Sequence, residues 1–277
     1  MGLFSKKGAK REAPAAESAA PARLVSNRLV QAALSRWASG KDARAFAEVL
    51  RQCATGELLL DSTGSRLADP SKGFQAGDTL SIASRTDDQG RRLLLAYTSN
   101  ERLAASHPGE SPVSLVQPAP AVLAQAAAEY DGIAIDAGSD DMCIAYADEI
   151  RHHLTDDPAV NVALKTALVE RTTPWDDLLN LVASTPAVFI AMTDVRDESG
   201  TVTGVTVPTA RGKNGETYSV AFTSPAEVWA WSPPENAQVT GIANVARVAL
   251  EQRHDGVLLN PAGQSVVISP PELQRFA

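Results

Sequence analysis

The chain says the same thing twice. AFTSPAEVW (221–229) restates LAYTSNERL (95–103): apolar residues, an aromatic-Thr-Ser triplet, then a Glu within a few places. Further on, Asp131-Gly132 leads into Ile133-Ala134-Ile135, and Asp255-Gly256 leads into Val257-Leu258-Leu259. Ile144 aligns with Ile268, and Glu149-Ile150 with Glu272-Leu273, at an offset that stays within 123–125 residues. A phrase repeated at constant spacing requires a fold made of two similar units, and 277 residues suffice for two domains of ordinary size.

The order of elements repeats with the residues. Helical spacing places Leu29, Val30, Ala33, Leu34 and Trp37 on one face over 26–38, behind a Ser or Asn cap. A second helix is expected over 42–53, capped by Asp42, with Phe46, Val49, Leu50 and Cys53 inward. GELLLDS, DTLSIAS and RRLLLAYTS read as strands, PAPAVLAQAAAEYDG as a helix, GIAIDAG and MCIAYA as two strands, and DEIRHHL as a short helix. After residue 158 come helices over 161–171 and 174–183, then strands AVFIAMTDV, TGVTVPTA and TYSVAFTS. A helix in GIANVARVALEQRHDG, strands GVLLNPAG and QSVVISP, and a final PELQRF complete the second pass. The expected fold class is α/β in the α+β sense. It has two similar mixed-sheet domains, over 24–155 and 159–277, with helices packed on the sheets. Residues 1–23, rich in Ala and Pro and without an apolar run of signal-peptide length, read as a disordered tail.

The repeated phrase has a local reading. Thr98-Ser99-Asn100-Glu101 and Ser224-Pro225-Ala226-Glu227 both fit the S/T-x-x-E capping box, in which a hydroxyl and a carboxylate satisfy free backbone N–H groups at a helix start. Pro225 suits the first helical position. A nucleophilic role for Ser99 or Ser224 needs G-x-S-x-G, which neither has.

An aromatic-Thr-Ser strand end, a helix, and then a DG-apolar-apolar-N-P-x-G hairpin is similar to the N-terminal domain of the SseB, or enhanced serine sensitivity, family of bacterial proteins. The match is closest in Ala221–Ser224, in the run from Asp255 through Asn260-Pro261-Ala262-Gly263, and in Pro271–Phe276. It extends over most of 160–277 and more weakly over 26–153. The first copy has Asp136-Ala137-Gly138 in place of the Asn-Pro-x-Gly turn, which implies a shorter hairpin. The resemblance implies a bacterial cytoplasmic protein and no particular chemistry.

Charge narrows the partners. Twenty-five Lys and Arg against 33 Asp and Glu give a net charge of −8, which disfavours nucleic acid and anionic membranes. Two cysteines, Cys53 and Cys143, allow neither a disulfide framework nor a cysteine zinc site, and both fall on apolar faces. His152-His153 reads as a solvated helix end, where a cationic imidazole suits the helix dipole. His107 and the pair His254-Asp255 read as turn residues, Asp140-Asp141 as a turn facing water, and GKNGE (212–216) as a turn between strands. No catalytic residue, metal site or cofactor is expected.

Trp229 and Trp231 stand apart. On a helix they point about 200° from each other, so either both pack against the second domain or the seam between the domains, or one is exposed as an interface anchor. The expected function is a non-enzymatic interaction or regulatory module with a protein partner. Its candidate partner surface is formed by Trp229, Trp231, Asn260, Pro261 and Gly263. Two alternatives stand beside it. One is an enzyme with a site between the domains drawing on His254, Asp255 or Asn260; the other is a chaperone-like or immunity-like partner of a secreted protein.

Overall fold

The computed structural model describes residues 24–66, 68, 76–155, 157 and 160–277; the expected tail over 1–23 lies outside the described residues. The first half opens with α1 (Arg28–Gly40) and α2 (Ala43–Gln52), then β1 (Glu57–Asp61), β2 (Ser84–Thr86) and β3 (Arg92–Tyr97). It continues through α3 (Asn100–Ser106), β4 (Ser114–Pro118), α4 (Ala119–Glu129), β5 (Gly132–Ile135), β6 (Cys143–Tyr146) and α5 (Ala147–Leu154). The second half runs α6 (Val162–Glu170), α7 (Trp175–Ser184), β7 (Val188–Arg196), β8 (Val202–Thr206), β9 (Thr209–Arg211) and β10 (Thr217–Ala221). It closes with α8 (Pro225–Trp231), β11 (Asn236–Thr240), α9 (Ile242–Glu251), β12 (Gly256–Leu259), β13 (Val266–Ile268) and α10 (Pro270–Leu273).

The two halves share one connectivity. In the first, the sheet order is β4-β1-β3-β5-β6, with β2 also on β3; β3 and β5 are parallel and the other pairs antiparallel. In the second, β13-β12-β10-β9 and β11-β7-β8 form two pieces, joined where Phe189 and Phe222 exchange backbone hydrogen bonds of 2.8 and 2.9 Å. Through that bridge the order β11-β7-β10-β12-β13, with β9 on β10, reproduces the first sheet, and β8 on β7 has no counterpart among the described residues. The duplicated mixed-sheet fold is therefore present.

Sheet alternation sorts the core. Leu58, Leu60, Leu94, Ala96, Ile133 and Ile135 face α1, α2, α4 and α5, while Leu59 and Tyr97 face the opposite side and pack with Leu103 of α3. Both cysteines lie in the first of these layers, free and fully buried, and burial raises both thiol pKa values, that of Cys143 to about 12.

Several expectations shift. The strand expected over DTLSIAS starts later, at Ser84. TGVTVPTA breaks into β8 and β9 around Pro208, where the missing N–H interrupts a ladder. The outer strands β4 and β11 were not anticipated. Ile268 sits opposite Val257, and Ala145 sits opposite Ile133, so the counterpart of Ile268 is Ala145, not Ile144. The offset of 123–125 holds only from β3 onward. Earlier it is larger: Leu59, opposite Tyr97, corresponds to Phe189, opposite Phe222. The first copy's hairpin is the longer one, with connection 136–142 against 260–265.

Candidate functional site

The repeated residues turn out to fasten strands. Asp131 accepts from the N–H of Arg92 (2.7 Å) and donates its own N–H to the Arg92 carbonyl; Asp255 does the same with Thr217 (2.7 Å). The glycine that follows allows close approach: a Cβ on Gly132 would lie 2.5 Å from the Ala145 carbonyl oxygen, and one on Gly256 2.4 Å from that of Ile268. Hence the Asp-Gly pair in both copies.

At the other end of those strands, Asp136 and Asn260 sit buried at positive φ (52° in each), where a short polar side chain is tolerated. Asp136 accepts from the Thr98 N–H (2.7 Å) and from its hydroxyl (2.6 Å). Asn260 accepts from the Thr223 N–H (2.9 Å) and donates through Nδ2 to the Thr223 hydroxyl (2.9 Å). The Thr of the aromatic-Thr-Ser phrase is thus a clasp on the next strand. The capping boxes read into that phrase do not form. Ser99 is the cap of α3 through the Arg102 N–H, Glu101 is exposed, and neither the Ser224 hydroxyl nor Glu227 Oε2 makes a hydrogen bond. The carboxylates that do return to a helix start are Glu149, on the Tyr146 N–H, and Glu272, on the Ser269 N–H, both at 2.8 Å.

α8 is wedged between the halves. Ala226 completes the first half's core, and Trp229 stacks on His152 of α5 with centroids 4.3 Å apart and planes 19° apart. The Trp229 Nε1–H donates to the Glu235 carbonyl (2.9 Å). Trp231, on the other side, packs on Phe222 of its own sheet at 5.5 Å. The two tryptophans do point apart, but the partner of Trp229 is the other half of the chain rather than open solvent. His153 is no solvated cation: it lies 5.1 Å from Phe46 and 4.8 Å from Trp229, and burial holds its pKa down to about 4.

α2 fills a groove in the second half, between α6, α8 and the turn after β12. Arg44 Nε donates to the Ala230 carbonyl (2.8 Å); Arg51 donates to the Ala262 carbonyl and to Gln264 (3.4 Å each). Arg51 also pairs with Glu48 and stands 3.6 Å from Glu227. A Cβ on Gly263 would fall 2.6 Å from the Arg51 guanidinium nitrogens, so this turn is shaped to the arginine. Lys165 lies buried nearby, its pKa lowered to about 8 by burial against the pull of Glu227. Asn260 and Gly263 therefore belong to this seam, with Pro261 between them. Of the five residues expected to form a partner surface, Trp229 packs on the other half and Asn260 is buried, while Pro261 and Trp231 are half-buried and Gly263 is exposed.

In the first half the same groove, between α1, α3 and the turn after β5, is open. It measures about 580 Å³ and is lined by Ser35, Ala38, Arg102, Ala105, Gly138 and Asp140 among others. Arg102, absent from the sequence reading, pairs with Asp141 at 2.8 Å and lies 3.6 Å from Asp136. Asp141 is thus not simply turned to water.

Comparison with known families now decides the relationship: the model of the SseB protein N-terminal domain matches twice, over residues 30–152 and 163–275. The chain belongs to the SseB family. No curated protein and no solved structure matches it.

In the two SseB domains, the residues offered for chemistry are spread apart. Asp255 and Asn260 flank β12 at its two ends, about 16 Å apart along a strand. His254 Nδ1 is 2.8 Å from the Ser219 hydroxyl, Asp255 holds a backbone N–H, and Asn260 holds Thr223. The three do not converge. His107 Nε2 meets buried Asp61 at 2.8 Å, which raises the histidine's pKa and gives the residue a tether as well as a turn. Among the described residues, no group of three His, Cys, Asp or Glu side chains is placed to hold a metal ion, and no helix is long and apolar enough to cross a membrane.

Proposed function

We propose that this SseB-family protein is a non-enzymatic interaction or regulatory module of the bacterial cytoplasm, whose two domains act as one binding body for a protein partner. One observation carries the reading: the SseB domain already holds a protein element in its groove, since the second copy receives α2 of the first through Arg44 and Arg51. The polar residues of the repeated motifs support it, because each is committed to holding a strand: Asp131, Asp136, Asp255 and Asn260 all accept backbone N–H groups. A reaction centre instead needs a nucleophile or base aimed at open space beside a stabilising donor.

Affinity purification of the full chain from its native host, with mass spectrometry of what copurifies, tests this. A stoichiometric protein partner is expected. A tightly held small molecule or metal together with turnover of a candidate substrate, and no protein recovered, overturns the proposal in favour of an enzyme.

A further inference from the structure

The open groove of the first half and the filled groove of the second are the same place in two copies. Along α3 and α8, Arg102 corresponds to Glu227 and Ala105 to Ala230, at the offset of 125 set by the capping residues Ser99 and Ser224. In the turns, Asp136 corresponds to Asn260 and Gly138 to Ala262, and the one-residue-longer first turn sets Asp140 and Asp141 against Gln264. In α1 and α6, aligned by the caps Asn27 and Asn161, Ser35 corresponds to Val169. Ala230, Ala262 and Gln264 meet Arg44 and Arg51 of α2. Their counterparts Ala105, Gly138 and Asp140 line a vacant groove of about 580 Å³.

We infer that this groove docks a helix of a partner protein that presents two basic side chains seven residues apart. The inference rests on the interaction reading above and says where the partner sits. The spacing is that of Arg44 and Arg51, two helical turns, which place both guanidiniums on one face. The groove's small residues, Ala38, Ala105 and Gly138, leave the helix room. Arg102, which stands where the second copy has Glu227, is balanced by Asp141 at 2.8 Å and Asp136 at 3.6 Å, so Asp140 is the acidic group left for a basic helix. Asp140 stands exposed at the rim, where the second copy has the neutral Gln264. A second copy of this chain is a poor occupant, because its own α2 is already seated in its own seam.

The probe is a peptide of residues 41–55 carrying Cys53→Ser, with a hydrocarbon staple in place of Phe46 and Leu50 on the face turned from the arginines. The staple removes the ordering cost that leaves a free 15-residue helix marginal. Titrated into the ¹⁵N-labelled full chain, it is expected to shift the amides of Ser35, Ala38, Ala105 and Gly138 saturably. A peptide with Arg44→Ala and Arg51→Ala is expected to bind at least tenfold more weakly, and so is the original peptide on the Asp140→Arg protein, with circular dichroism checking that this variant is folded. Absence of shifts at millimolar peptide, shifts confined to other surfaces, or equal binding of the alanine peptide overturns the inference. So does a dimer of the full chain in light scattering that Asp140→Arg dissolves, since the occupant is then a second copy. Cross-links that place a copurified partner away from the groove sink the groove alone and leave the interaction reading standing.

Discussion

Gly256 and Gly132 are glycines because a carbonyl oxygen occupies the space of a side chain, 2.4 and 2.5 Å from where Cβ would be. Backbone cannot swing aside as a flexible side chain does, so Gly256→Ala is expected to cost about 1–3 kcal/mol, read as a lower urea midpoint. Gly204→Ala, with nothing within 4 Å, is expected to stay within about 0.5 kcal/mol; equal midpoints for the two variants refute the close-approach account. His153 gives a pH signature. Its folded pKa, near 4, lies below the ordinary 6.5. Between those values the unfolded chain binds the extra proton, so the histidine's contribution is intact above pH 6.5 and is lost as pH falls toward 4. The loss is about 2 kcal/mol after allowing for the partial exposure of the ring. His153→Phe keeps the aromatic contacts without a proton to bind. The difference between the two stability profiles over pH 4–6.5 isolates the histidine, because Asp136 and Glu227, both raised by burial, titrate in either protein. Parallel profiles exclude this assignment. The sequence showed a histidine near a helix end, where solvent is the default; the tryptophan that covers it arrives from 76 positions away.

At the scale of elements, the clasp between β3 and the turn after β5, and between β10 and the turn after β12, explains why the aromatic-Thr-Ser phrase is repeated. The phrase was legible as a strand running into a helix. Its capping reading failed because S-x-x-E specifies only a possible hydrogen bond: Thr98 found a better partner in Asp136, and Glu227 turns toward Arg51 in the seam rather than back to Ser224. The outer strands β4 and β11 were not legible for a different reason: SLVQP and NAQVT have no fully buried residue, so no alternation marks them. Thr223→Val removes the hydroxyl that Asn260 Nδ2 meets and leaves that group buried without a partner, an expected cost of about 1–3 kcal/mol. Asp136→Asn instead gives the first copy the second copy's residue. It relieves a buried carboxyl while keeping an acceptor for Thr98, and is expected to change stability by about 1 kcal/mol or less. Thermal melts of both variants check the pair; a larger loss from Asp136→Asn shows that the Arg102 pairing outweighs the clasp.

The whole molecule is held by α8 and α2, each serving both halves, which no stretch of sequence announces because its determinants lie 176 positions apart in Arg51 and Glu227. The duplication fixed the fold of each copy. What joins them rests on residues the copies do not share: Trp229 where the first copy has Ala104, and Glu227 where it has Arg102. Arg51 and Glu227 are 7% and 5% exposed, and burial raises the Glu227 pKa against the opposing pull of Arg51 and Lys165. Removing one partner of such a pair leaves the other charge desolvated, and Lys165, itself held down to about 8, compensates only in part. Arg51→Met is therefore expected to cost about 3–5 kcal/mol and to let the two halves unfold in separate transitions, as the second half loses its contact with α2. Adding Glu227→Leu removes the stranded carboxylate, so the double variant is expected to recover 1 kcal/mol or more of that loss, about the coupling measured between contacting residues. Calorimetry of wild type, both single variants and the double variant closes the cycle. If the double variant loses the sum of the two single losses, Arg51 and Glu227 act independently, and Arg51 holds the seam through Ala262 and Gln264 rather than through the carboxylate.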